Sequence, residues 1–171
     1  MEFSRQLQIS GTRVVALAFT ALVAACAQLP VEGEVLQPGV TPAISQEAVG
    51  GIASLRVRSQ LDSASGAWES TTCPMHLDAT ACASSGSKAV GTATPAVVAQ
   101  LYGSAREDAF RALKSSYAPT GQVADGMQHT LTISGEGRTR RIEWGDGANL
   151  PAALSQFSAA LYQATTATVA R

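Results

Sequence analysis

Two runs of alternating residues flank Gly135-Glu136-Gly137, and this pattern constrains the fold more than any other. In residues 128–134, Leu131 and Ile133 share one face. In residues 138–144, Ile142 and Trp144 share one face, with Arg141 and Glu143 opposite. Period-two alternation on both sides of a glycine turn predicts a hairpin with one face buried. A second hairpin is expected upstream. Leu55 and Val57 alternate with Arg56 and Arg58 in residues 52–60, Asp62 to Gly66 supply a turn, and residues 67–72 return. Each hairpin is followed by an apolar stripe at helical spacing. Thr94-Pro95 opens the first helix as N-cap and first helical residue. Val98, Leu101, Tyr102, Ala105, Ala109, Ala112 and Leu113 continue it. Ser104 and Glu107, three apart, predict a kink or restart. Leu150-Pro151 opens the second helix, with Leu154, Phe157, Leu161 and either Ser158 or Tyr162 inward. The ββα–ββα order predicts an α+β domain over residues 52–171. It has two layers, an antiparallel four-stranded sheet with two helices on one face.

Residues 26–51 read differently. Pro30, Gly33, Pro38, Gly39, Pro42, Gly50 and Gly51 punctuate them, and no period survives. The expectation is a tether; the alternative is that Val31 to Leu36 lies on the domain as a strand.

Ahead of this stretch, Arg5 and Arg13 precede an uncharged run from Val14 to Ala25 that ends in Val23-Ala24-Ala25-Cys26. A basic segment followed by a short apolar one has the form of an export signal. It falls short of the roughly 20 apolar residues that span a bilayer. The ending resembles the lipobox of bacterial lipoproteins, an aliphatic residue and two small ones before cysteine. The resemblance covers the first 26 residues and implies cleavage after residue 25, with diacylglycerol on the Cys26 thiol as a covalent lipid and only cofactor. Two or three acyl chains give stable anchoring. Residue 27 is Ala rather than Asp. Within this family that implies the outer membrane, so the expected location is the bacterial cell envelope, lipid-anchored and facing the periplasm.

With Cys26 committed to lipid, Cys73 and Cys82 remain as an even pair in one short loop. In an oxidising compartment they are expected to form a disulfide. The alternative is a copper or zinc site built on Cys73, His76 and Cys82, with Met75 or His129 as further ligand types. Their spacing matches no established ligand pattern.

Catalytic chemistry finds little support. His76 and His129 are the only histidines, and no nucleophile elbow or phosphate-binding glycine loop is present. Asp125-Gly126 and Asp146-Gly147 read as turns ahead of calcium ligands. The formal charge is −1 and no basic run points to nucleic acid. The outward sheet face is the remaining candidate. Arg56, Arg58, Arg141 and Glu143 share it with Thr130 and Thr132, and it would bind an envelope protein or an acidic glycan; its bland counterpart is a solvated face.

Residues 94–164 are similar to the emfourin-type protealysin inhibitors and related small bacterial domains. The likeness runs from Thr94-Pro95 and residues 108–113 through Asp125-Gly126, residues 129–133 and residues 142–144 to Leu150-Pro151-Ala152-Ala153-Leu154. It implies an inhibitor-like binding module without catalysis, and it assigns no inhibitory residue here.

Overall fold

The computed structural model describes residues 31–166. Cys26 and the segment before it therefore lie outside the described residues. The described residues are α+β, with a mostly antiparallel sheet of eight strands and four helices. The strands are β1 (Glu34–Leu36), β2 (Ala43–Gly50), β3 (Leu55–Asp62), β4 (Ala67–Pro74), β5 (Ser87–Thr92), β6 (Ser116–Tyr117), β7 (Met127–Gly135) and β8 (Arg138–Gly145). The helices are α1 (Ala79–Ser85), α2 (Pro95–Arg106), α3 (Asp108–Arg111) and α4 (Ala152–Thr166). Spatial order across the sheet is β1-β8-β7-β2-β3-β4-β5, and β6 runs parallel to β8.

Both expected hairpins are present. The later one closes on Glu136 and Gly137, which take φ of 53° and 73°. Positive φ at both central residues is the two-residue turn whose twist suits a hairpin. The four-stranded sheet, however, is half the true size, and the tether is corrected. Residues 43–50 form β2, which pairs with β3 on one side and β7 on the other along its whole length. β2 is the strand that joins the two hairpins. Further upstream, Glu34–Leu36 pair with Arg138–Arg140. Gly33 is fixed there because an added Cβ would lie 2.5 Å from the Arg141 carbonyl oxygen. The Glu32 carboxylate accepts from both the backbone N–H and the hydroxyl of Ser115. These bonds hold the Glu32 carboxyl below its ordinary pKa.

The helices also depart from a single layer. In α2 the Thr94 hydroxyl accepts from Val97 N–H and Pro95 stands in the first turn, as expected. The chain restarts at Glu107, and α3 follows. Along α4, Leu154, Phe157, Leu161 and Ala164 are buried on one stripe. Ser158 donates to Gln46 Oε1, while Tyr162 is exposed. These three helices cover the inward sheet residues Ile44, Leu61, Trp68, Leu131, Ile142 and Trp144, which form the core with Phe110 and Phe157. Burying each such side chain contributes about 1.5–3 kcal/mol. Trp68 is accommodated by a neighbour without a side chain, since a Cβ on Gly91 would lie 2.5 Å from the indole. The fourth helix, α1, lies on the other face. Its start is capped by Asp78, whose Oδ1 accepts from Ala81 N–H. Cys82 in α1 is bonded to Cys73, which sits opposite Arg56 on the outward face.

Candidate functional site: the outward sheet face

Side chains alternate along each strand, so register fixes which residues share this face. One row reads Glu143, Thr130, Glu47, Arg58, Thr71, Lys88 across β8, β7, β2, β3, β4 and β5. The next reads Arg141, Thr132, Ser45, Gln60, Glu69, Val90. Arg56, Arg58, Arg141 and Glu143 thus lie on one face, as the alternation predicts. They do not form one cluster. β7 and β2 separate the β3 arginines from the β8 pair, a gap of roughly 14 Å at ordinary strand spacing.

Most of these charges are already compensated. Arg141 donates to Glu143 Oε1 from Nε at 2.7 Å. Lys88 lies 3.4 Å from Glu69. Arg56 Nε lies 3.2 Å from Glu47 Oε1, but no hydrogen bond forms along that contact. Thr71 and Lys88 both bond the Glu69 carboxylate and lower its pKa, Thr71 having the larger effect. Arg58 stands apart. It is exposed, and its one polar contact is a long 3.5 Å approach to Gln60 Oε1. Among the described residues no carboxylate lies within ion-pair distance of it. Isolated surface pairs such as the other three contribute about 0–1 kcal/mol each. They leave Arg58, among the described residues, as the cation of this face without a carboxylate partner.

Sequence reasoning did not anticipate the relief of this face. Because α1 is drawn onto β4 by the Cys73–Cys82 bond, a groove of about 610 Å³ opens between helix and sheet. Arg58, Gln60, Glu69 and Val90 line its sheet side, and Ala79 and Ala83 its helix side. The signal was Asp78, a good N-cap three residues ahead of Ala81, which a reading of the segment as a cysteine loop passed over.

Cys73 and Cys82 are joined as a disulfide. The alternative ligand set of Cys73, His76 and Cys82 loses both its thiolates while it is intact. His76 and Met75 are exposed in the turn before α1. His129 lies on the opposite sheet face, stacked on Trp144 with ring centroids 5.2 Å apart. Its Nε2 lies 2.9 Å from Asp146 Oδ1. The carboxyl of Asp146 is held below its ordinary pKa by the Met127 N–H and then by His129. With that carboxylate accepting, Nε2 donates, and Nδ1 is buried without a hydrogen-bond partner. No hydroxyl or thiol is hydrogen-bonded to His129 among the described residues, so no nucleophile is activated there. Asp146 joins β7 to the turn after β8, a role beyond the Asp-Gly turn expected of it.

Comparison with protein-family models, curated proteins and solved structures gives no match. Function is therefore argued from the geometry of this chain. Among the described residues, no group of three His, Cys, Asp or Glu is arranged to hold a metal ion. No helix among them is long and apolar enough to cross a membrane.

Proposed function

We propose that this chain is a lipid-anchored cell-envelope protein whose domain binds a partner macromolecule through its outward sheet face, with no chemistry of its own. The observation that carries the reading is Arg58, an exposed cation without a carboxylate partner, set in a groove that a disulfide-held helix builds. A partner protein presenting an acidic side chain, or an acidic glycan, complements that arrangement. Charge of this kind governs encounter rate and orientation as much as affinity. The inhibitor-like character implied by the C-terminal resemblance is consistent with a rigid face on a disulfide-braced scaffold. The lipobox resemblance at Cys26 supports a lipid anchor, and Ala27 in place of Asp supports the outer membrane, facing the periplasm.

A crosslinking pulldown from envelope extracts tests the binding face. Arg58→Glu is expected to reduce recovery of the specific partner at least tenfold, about 1.4 kcal/mol. Equal recovery by the variant discards the face. The same extracts test the anchor, since Cys26→Ala is expected to move the protein out of the membrane fraction.

A further inference from the structure

At one end of the sheet, on the side opposite Arg58, α2 stands away from the hairpin tips and leaves a cleft of about 770 Å³. That volume falls in the range of small-molecule sites, about 300–1,000 Å³. Its length follows α2, whose residues Pro95 to Arg106 run roughly 18 Å at 1.5 Å per residue. The walls have two characters. Along α2 they are apolar, with Val98, Ala99, Tyr102 and Ala105, and Ile133 contributes from the sheet. Tyr102 is fixed by donating to the Ser134 carbonyl at 3.0 Å, so its ring is a stable part of the wall.

The charged residues of the cleft are four arginines, 106, 111, 138 and 140, against two glutamates, 34 and 136. Cations predominate here although the whole chain is formally −1. Both glutamates are engaged, Glu136 with Arg106 and Glu34 with Arg138. Arg140 is only 7% exposed. Its guanidinium donates to the carbonyls of Phe110, Arg111 and Leu113, which are neutral acceptors. It lies 5.3 Å from the centre of the Phe110 ring. Among the described residues no carboxylate contacts it, and its Nε has no hydrogen-bond partner. A buried positive charge without a contacting counter-ion, at one end of an apolar trough, is the complement of a molecule with the opposite polarity.

We infer that this cleft binds a small amphiphile bearing one anionic head on an apolar body. The body lies along α2 from Val98 to Ala105, and the head sits at the end where Arg106, Arg138 and Arg140 gather. A carboxylate suits planar guanidinium donors. The head of an anionic lipid offers the same chemistry from a second source. The inference rests neither on the outward face nor on the anchor, so its failure leaves that reading as it stood.

The test uses the full chain in phosphatidylcholine nanodiscs, titrated calorimetrically with octanoate, dihexanoylphosphatidylglycerol, octanol and octyltrimethylammonium, with empty nanodiscs as the blank. The expected result is saturable binding of an anionic probe at one site per chain, at least tenfold tighter than either octanol or the cationic probe. The tighter of the two anionic probes identifies a free acid or a lipid as the source. Two exposed positions localise the site. Ala99→Trp fills the trough and is expected to abolish saturable binding, and Arg106→Glu is expected to weaken it at least tenfold. Thermal melts matching the parent chain show that both variants are folded. Absence of saturable anion binding, equal binding of octanol, or unchanged binding in both variants overturns the inference.

Discussion

Arg140 and Arg58 lie on opposite faces of the same sheet and are held in opposite ways. Arg140, in phase with Ile142 and Trp144 on β8, is buried beneath α3 and donates to three backbone carbonyls. Arg58 projects outward from β3 and has one long contact. The inward arginine braces the end of a helix, donating to the carbonyls of Phe110 and Arg111 in α3 and of Leu113 just beyond it. The outward one leaves the fold nearly untouched and keeps its donors for another molecule. Position relative to the core, rather than residue type, sets the difference: the fold takes the donors of Arg140 and leaves only its charge to the cleft, while the donors of Arg58 stay open.

The sharpest way to break this comparison is Arg140→Met. It fills similar volume but removes three donated hydrogen bonds and a buried charge, and is expected to cost about 2–4 kcal/mol in urea or guanidinium unfolding. A loss below about 1 kcal/mol would place Arg140 with the surface charges. Next comes the outward face. The Cys73→Ala, Cys82→Ala double variant releases α1 and is expected to cost about 2–3 kcal/mol from loop entropy. Hydrogen exchange should accelerate in α1 while α4 keeps its protection. Acceleration in both helices would show that the bond braces the core and not the outward groove alone. The smallest effect belongs to Asp146, half-exposed at the sheet end. Its pKa is depressed in the fold, so its contribution is fully present above the unfolded carboxyl pKa of about 3.9. That contribution is lost as pH falls through the lower folded value. Asp146→Asn should therefore narrow the stability difference between pH 6 and pH 3, by less than about 1 kcal/mol after solvent screening. An unchanged difference in thermal melts would remove Asp146 from the acid response.

Much of this was legible in residue order. The hairpin around Glu136-Gly137, the Thr94-Pro95 helix start, the restart at Glu107 and the stripe Leu154, Phe157, Leu161 all follow local rules. Arg140 was not singled out from the sequence, although the phase that turns Ile142 and Trp144 inward turns it inward as well. β2 was not legible. Only Ile44 in it is buried, and its inward Gln46 is satisfied by Ser158 on a helix 112 residues away. Flanked by Pro42 and Gly50-Gly51, it looks like linker until two partners supply its hydrogen bonds. β5 is mostly exposed along its length and carries no alternation to detect. On the candidate face, the four expected residues were placed correctly by phase. The gap between the two pairs depends on β2, and the groove depends on α1. Both are set by tertiary pairing rather than by local pattern.

The central position of β2 has a consequence for the order of assembly. Its pairing with β3 is local, while its other edge meets β7, with Ala43 opposite Ser134. The chain thus makes one of its most central strands near its beginning and completes the bonding of that strand only near its end. Until β7 arrives, a full edge of unpaired backbone stands open, the kind of surface that recruits other strands. Long-range pairing of this sort is slow, because the intervening chain must be closed before the contact forms. During folding, the vulnerable element is therefore a strand that ends up paired along both edges.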